Sequence, residues 1–458
     1  MAALIHQVQH DAASLEQFIS LIADQCAQRS GAAAYLEPSE RFFSFVTDLA
    51  QATRSYLEET LQSKTDVQDL LDLRRDIALL RAGWRFLHVF VKPVLDADTR
   101  RLPTSIIQGL TERFCEISHF RSTDFVVYHT DDFNYFNVKL SVLKPNIDQI
   151  SSPVNGPTFP QRLGLIGIPC SQASSLFMNC LIPHELGHYA FGELSLGNKF
   201  GAALEQELID RLGSTITSQQ RLWLVYKLAF WAEEIFCDLF AVRLVGFCFT
   251  FAFVELFDAA AILDENSAYS PDRSMTKPEF SQYPPDLFRL RQQVAVLVED
   301  GWWTELTGID SHYVRTLEAA VSLKDGDFRF TELPASIAAD PKVVLSAFFA
   351  VVPRIQAELN SITAGLKVEA GAWKEADKEI ALYLQNGIVP SAMKKLPDTV
   401  SLLNASYKFY LEGLDLLLAK IKDADPSRPV DRAKWTKKVE SWTAKAIEDV
   451  FLMSGKDS

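Results

Sequence analysis

The chain has 458 residues, 48% hydrophobic and 23% charged, enough apolar material for two or three structural units with a buried core. That composition excludes a disordered chain, and a formal net charge of −14 argues against a nucleic-acid partner, which needs a basic stripe. The pattern along the chain predicts a predominantly α fold of the α+β class, with a helical region over 1–122, a core with a small sheet over 123–292, and a second helical region over 293–458.

Met1 to His10 lacks a basic segment followed by an apolar core and a small-residue cleavage site, so no secretory leader is expected. Apolar residues then recur at helical spacing: Leu15, Phe18, Ile19 and Ile22; Phe42, Phe45 and Leu49; Leu70, Leu71, Ile77 and Leu80. Polar breaks over 28–31 and 37–39 separate these helices. His6 and His10 lie four apart, but no glutamate follows His6, and both are expected to face solvent.

At Phe125 to Tyr128 and Phe133 to Val138, aromatic and β-branched residues alternate with polar ones, as in strands. A third strand is predicted over Arg162 to Pro169, where Gly164 and Gly167 leave room for a second backbone. A helix is predicted from Ser174 to Phe191, kinked or restarted at Pro183, and a glycine-rich loop over 192–201 follows it.

That helix carries His184-Glu185-Leu186-Gly187-His188. Histidines four apart leave one face of a helix a turn from each other and can share one ion, while Glu185 projects about 100° away, placed to act as a general base on water. Chance alone yields this pattern in on the order of one chain in a hundred of such composition. Gly187 is a poor helix former and points to close packing beneath the metal.

The apolar run Leu228 to Leu244 carries Glu233, Glu234 and Asp238, costly to bury unless paired or bound to a metal. If Glu234 turns inward to the ion, Asp238 follows one turn later and accepts the free ring N–H of a histidine, His184 being the expected one. The competing reading is a salt-bridged acid cluster with Arg243 as its cation. Leu244 to Val254 is too short to span a bilayer and reads as a buried core helix.

A polar loop over 264–282 is expected to lack regular structure, and Tyr283-Pro-Pro-Asp-Leu-Phe-Arg289 follows it. From Leu290 on the chain reads as helical, with breaks at 325–326, 334, 386–390 and 423–429. The six cysteines form no Cys-x-x-Cys pair and sit mostly in apolar context, which suggests buried thiols in a reducing cytoplasm.

His184-Glu185-x-x-His188 followed by Glu234-x-x-x-Asp238 resembles the zincin metallopeptidases whose third ligand is a glutamate, the gluzincins. The resemblance implies a zincin-like catalytic core holding one Zn2+ on His184, His188 and Glu234, with Glu185 as the base that activates water and Asp238 orienting the first histidine. It also makes Arg162 to Pro169 similar to the zincin edge strand, which pairs with an extended substrate backbone; an ordinary core strand is the other possibility. Tyr283 to Arg289 resembles, more locally, the His-Pro-x-x-x-x-Arg element of CaaX-prenyl-protease-like zincins, with tyrosine replacing the histidine. If it is placed alike, the Tyr283 hydroxyl donates to the oxyanion and Arg289 anchors the loop or the substrate; a proline turn that merely starts a helix is the other possibility.

The expected activity is therefore hydrolysis of a peptide or protein substrate by a zinc peptidase. Two other readings are a zinc-stabilised scaffold that binds a protein partner without catalysis, and a di-iron bundle. The latter needs two Glu-x-x-His elements, and Glu185 with His188 supplies one.

Overall fold

The structure, a computed structural model, describes residues 1–29, 37–64, 66–96, 104–130, 135–138, 140–160, 162–169, 175–263, 276–277, 283–309, 311–330, 333, 337, 339–366, 370–393, 397–427 and 430–454. It separates into two compact units, residues 1–104 with 122–173, and residues 105–121 with 174–458. The stretch 123–292, expected as one core, is shared between them: its three-stranded sheet lies in the first unit and its HExxH helix in the second.

In chain order, the first part comprises α1 (Ala2–Arg29), α2 (Glu37–Ser63), α3 (Val67–Asp96), α4 (Thr104–Cys115), β1 (Asp124–Thr130), β2 (Phe136–Val138), α5 (Leu140–Ser151) and β3 (Leu163–Pro169). All but α4 build the first unit. Helix α1 packs on α2 and α3, and these two cover β1. The apolar stripes make this possible: Leu15, Ile19, Ile22, Phe42, Phe45, Leu49, Ile77 and Leu80 are all buried. Leu71 departs from the expected stripe and is 45% exposed, because adjacent residues leave a helix about 100° apart and Leu70 takes the inward place.

The sheet runs β1-β3-β2, with β3 parallel to β1 and antiparallel to β2. Of the two expectations for Arg162 to Pro169, edge strand or ordinary core strand, the second holds: β3 is the central strand. Leu165, Ile166 and Gly167 have partners on both sides, and every residue of β3 is buried. Over residues 165–167 both edges of the strand are paired, which leaves no free ladder there for an extended peptide. Its unbroken apolar character is what burial on both faces requires.

The second unit continues with α6 (Ile182–Glu193), α7 (Leu196–Leu212), α8 (Ser218–Val245), α9 (Phe247–Leu263), β4 (Thr276–Lys277), α10 (Asp286–Glu299), α11 (Trp303–Leu306), α12 (His312–Ser322), β5 (Arg329–Phe330), α13 (Pro341–Ile362), α14 (Ala370–Gln385), α15 (Thr399–Lys408), α16 (Leu414–Ala424) and α17 (Arg432–Ser454). The molecule is predominantly α, as its sequence predicts. Strands β4 and β5 pair in parallel, an ordered piece in a stretch expected to be irregular; residues 264–275 and 278–282 lie outside the described residues. Helix α13 is long and apolar enough to cross a membrane by length and composition, and it packs against α7 and α8.

Helix α8 organises this unit, packing against α6, α7, α9, α10 and α13. Thr217 opens it with a capping box shared with Gln220, and from Trp231 to Val245 every residue is buried. A stretch this enclosed leaves its carboxylates little access to water, so each is stabilised only by a partner inside. The apolar run Leu244 to Val254 is broken at Gly246, whose φ of 75° lies in the left-handed region. Asn404 of α15 satisfies the freed backbone, its Nδ2 donating to the Val245 carbonyl at 2.7 Å and its Oδ1 accepting from the Cys248 N–H at 3.0 Å.

Candidate metal centre

Helix α6 begins at Ile182, later than expected, after a 3-10 turn over Met178–Leu181; residue 174 lies outside the described residues. Pro183 sits in its first turn, where a missing N–H costs nothing, so the proline starts the helix that carries both histidines. The expected glycine loop shrinks to a turn through Ser195 at φ 52°, and α7 starts at Leu196. A Cβ added to Gly187 would lie 2.8 Å from Cys237 Cα, so glycine is what lets the α6 and α8 backbones touch beneath the histidines.

That contact sets the geometry above it. His184 Nε2 lies 3.5 Å from Glu234 Oε2, and His188 Nε2 lies 3.6 Å from Glu234 Oε1. The three donor atoms His184, His188 and Glu234 offer all fall within 4.8 Å of one another. The two distances run to different oxygens of the Glu234 carboxylate, which thus lies between the two imidazoles, and the group of three could hold a metal ion. The side chains are recessed, 14%, 17% and 12% exposed for His184, His188 and Glu234. Glu234 Oε2 is buried with no aligned hydrogen bond, although the Arg289 guanidinium lies 3.1 Å away.

Each imidazole is also held from behind. His184 Nδ1 lies 2.9 Å from Asp238 Oδ1, a short contact though not an aligned hydrogen bond. This is the pairing expected from the four-residue offset of Glu234 and Asp238. His188 Nδ1 lies 2.9 Å from Glu233 Oε1, a partner to which the sequence motif assigns no role. The signal was present: a second carboxylate beside Glu234 in an enclosed helix has to be paired. The rings stand nearly perpendicular, and Phe249 of α9 stacks on His184 at 6.2 Å.

Arg289 of α10 joins the carboxylates together. Its Nε and Nη2 donate to Asp238 at 2.7 and 2.8 Å, and Nη2 also reaches Glu234 Oε2 at 3.1 Å. With a side chain only 5% exposed, Arg289 is enclosed and anchors the Asp238 and Glu234 carboxylates rather than standing open to solvent. Tyr283, 37% exposed, places its ring 5.7 Å from the Arg289 guanidinium, and Phe253 covers the same group at 4.7 Å. Pro284 and Pro285 lead directly into α10, so this segment is also the helix-starting proline turn. Arg243, the alternative cation for the acid cluster, instead pairs with Asp300 and Glu299 and donates to Asn360.

Charges follow from these contacts. Burial alone would raise the Glu234 carboxyl, but Arg289 and the two histidines outweigh it and hold the group at about 2. Burial opposes a proton on His184, yet Asp238 and Glu234 lift its pKa to about 10. Glu185 is buried beside the cluster, and that burial pushes its carboxyl up, against the pull of both histidines. Burial drives the Cys237 thiol well up, away from the thiolate a metal would need.

His6 and His10 are exposed on α1, as expected. Of the cysteines, Cys26, Cys180, Cys237 and Cys248 are buried free thiols and Cys115 is half-buried; Cys170 lies outside the described residues. No protein-family model, no characterised protein and no solved structure matches this chain.

Proposed function

We propose that the protein is a zinc-dependent peptidase of the gluzincin type that cleaves a peptide or protein substrate. The observation that carries this is the convergence of His184, His188 and Glu234 on one point beside a buried Glu185. A helix pair that only needed a structural ion has no use for an acid there.

Zinc bound by the three side chains would supply Lewis acidity toward the scissile carbonyl and a nucleophilic water at neutral pH. Glu185 takes the proton from the attacking water and returns it to the leaving amine. Its burial raises the carboxyl, which makes it a stronger base than an exposed glutamate. Asp238 and Glu233 keep the imidazoles turned with Nε2 toward the ion, and Arg289 fixes Asp238 and Glu234. Tyr283, partly exposed next to Arg289, supplies the hydroxyl that donates to the oxyanion.

The test is Glu185→Gln measured beside wild type on a peptide library, with and without chelator. The variant should keep its zinc and lose about 10²–10⁴-fold in turnover. Equal, chelator-sensitive cleavage by the variant rejects Glu185 as the base. A wild type without chelator-sensitive cleavage leaves the peptidase assignment without its activity.

A further inference from the structure

We infer that Glu233 is a positioning residue for the metal centre, setting metal affinity by fixing His188 in the tautomer that presents Nε2. This rests on the reading of His184, His188 and Glu234 as ligands.

The argument begins with helix geometry. Glu233 and Glu234 are neighbours on α8, so their side chains diverge by about 100° and cannot serve the same atom. They bracket one imidazole instead: Glu234 Oε1 lies 3.6 Å from His188 Nε2, and Glu233 Oε1 lies 2.9 Å from Nδ1 on the opposite side of the ring. A histidine that gives Nε2 to a metal carries its proton on Nδ1, and that N–H then donates to Glu233. His184 is bracketed in the same way by Glu234 and Asp238, one turn apart. A stretch of six residues on one helix, 233–238, thus supplies the shared ligand and the rear support of both histidines.

The plainer alternative is that Glu233 is a buried acid retained for packing. It is 7% exposed, in a stretch of α8 enclosed from Trp231 onward, and an apolar residue of similar volume fills such a place without loss when no polar partner is left behind. Here the partner left behind is a metal-ligating ring, so the two explanations diverge in what they move. Packing affects the stability of the metal-free protein. Positioning affects metal affinity and the ligand field.

The experiment compares wild type, Glu233→Leu and Glu233→Gln for zinc affinity by chelator competition, for the visible absorption of the Co2+-loaded proteins, and for urea unfolding after metal removal. Glu233→Leu removes the acceptor and should weaken zinc about 10–100-fold and shift the Co2+ bands. Glu233→Gln keeps the shape and one acceptor oxygen but loses the charge, and should fall at the low end, about tenfold. If Glu233→Leu fails to fold, Glu233→Gln decides. Wild-type affinity and wild-type Co2+ bands in a folded variant, with only metal-free stability reduced, overturn the inference and leave the peptidase proposal standing. A wild type that takes up neither zinc nor cobalt overturns the metal centre itself.

Discussion

Two pairs of histidines in this chain share the same four-residue spacing on a helix, His6 with His10 in α1 and His184 with His188 in α6. The first pair is exposed to water; the second is recessed and faces Glu234, and among the described residues only it belongs to a group that could hold a metal ion. The spacing aligns two rings, but a second helix that brings a carboxylate to both Nε2 atoms is what turns alignment into a site. α6 obtains that helix because Gly187 lets α8 approach to backbone contact.

The comparison can be broken most sharply at Glu234. Glu234→Ala is expected to drop zinc from about one ion per chain to background by plasma mass spectrometry, whereas His6→Ala with His10→Ala leaves the content unchanged. Zinc retained by Glu234→Ala would mean that the carboxylate is not a ligand and that the two histidine pairs differ less than proposed.

Next in size is Arg289. Arg289→Met removes the cation that Asp238 and Glu234 share, leaving only the histidines beside two buried carboxylates, and should cost about 3 kcal/mol in urea unfolding. Arg41 and Asp124 pair at 2.6 Å with side chains 51% and 30% exposed, and Arg41→Met should cost less than about 1 kcal/mol. Similar losses for the two would show that the Arg289 cluster is not held together as an enclosed unit.

Metal removal sharpens the comparison further. Free zinc at about 100 times its dissociation constant should stabilise the protein by about 2.7 kcal/mol over the chelated state, and Glu234→Ala should abolish that increment. An unchanged melting curve on chelation of zinc-loaded wild type would exclude binding linked to the folded state.

The smallest effect is at glycine. Gly187→Ala forces a methyl toward the Cys237 backbone and should destabilise by about 1–3 kcal/mol. Gly192→Ala, on the same helix with nothing within 4 Å of the added carbon, should be neutral or stabilising by up to about 1 kcal/mol. Equal unfolding midpoints for the two variants would remove the close approach as the reason for glycine.

The helical stripes of the first unit were legible because apolar periodicity reports directly on which face is buried, as Leu15, Ile19 and Ile22 illustrate. The standing of β3 was not: a run of apolar residues bounded by proline is compatible with an edge or a centre, and only the partners on each side distinguish them. The break at Gly246 was hidden for a similar reason. A glycine in an apolar run becomes a helix end only where a distant side chain, here Asn404, takes up the freed backbone groups.

By itself the sequence determined which residues lie on a common helical face, so His184 with His188 and Glu234 with Asp238 were paired by spacing alone, and enclosure demanded a use for each carboxylate on α8. Tertiary structure decided which atom meets which: Glu234 between two rings, Glu233 behind His188, and Arg289 spent on Asp238 and Glu234. The physical reason is that periodicity is a local property of one helix, whereas a site is made by the distance and rotation between helices, which depend on the packing of residues far apart in the chain.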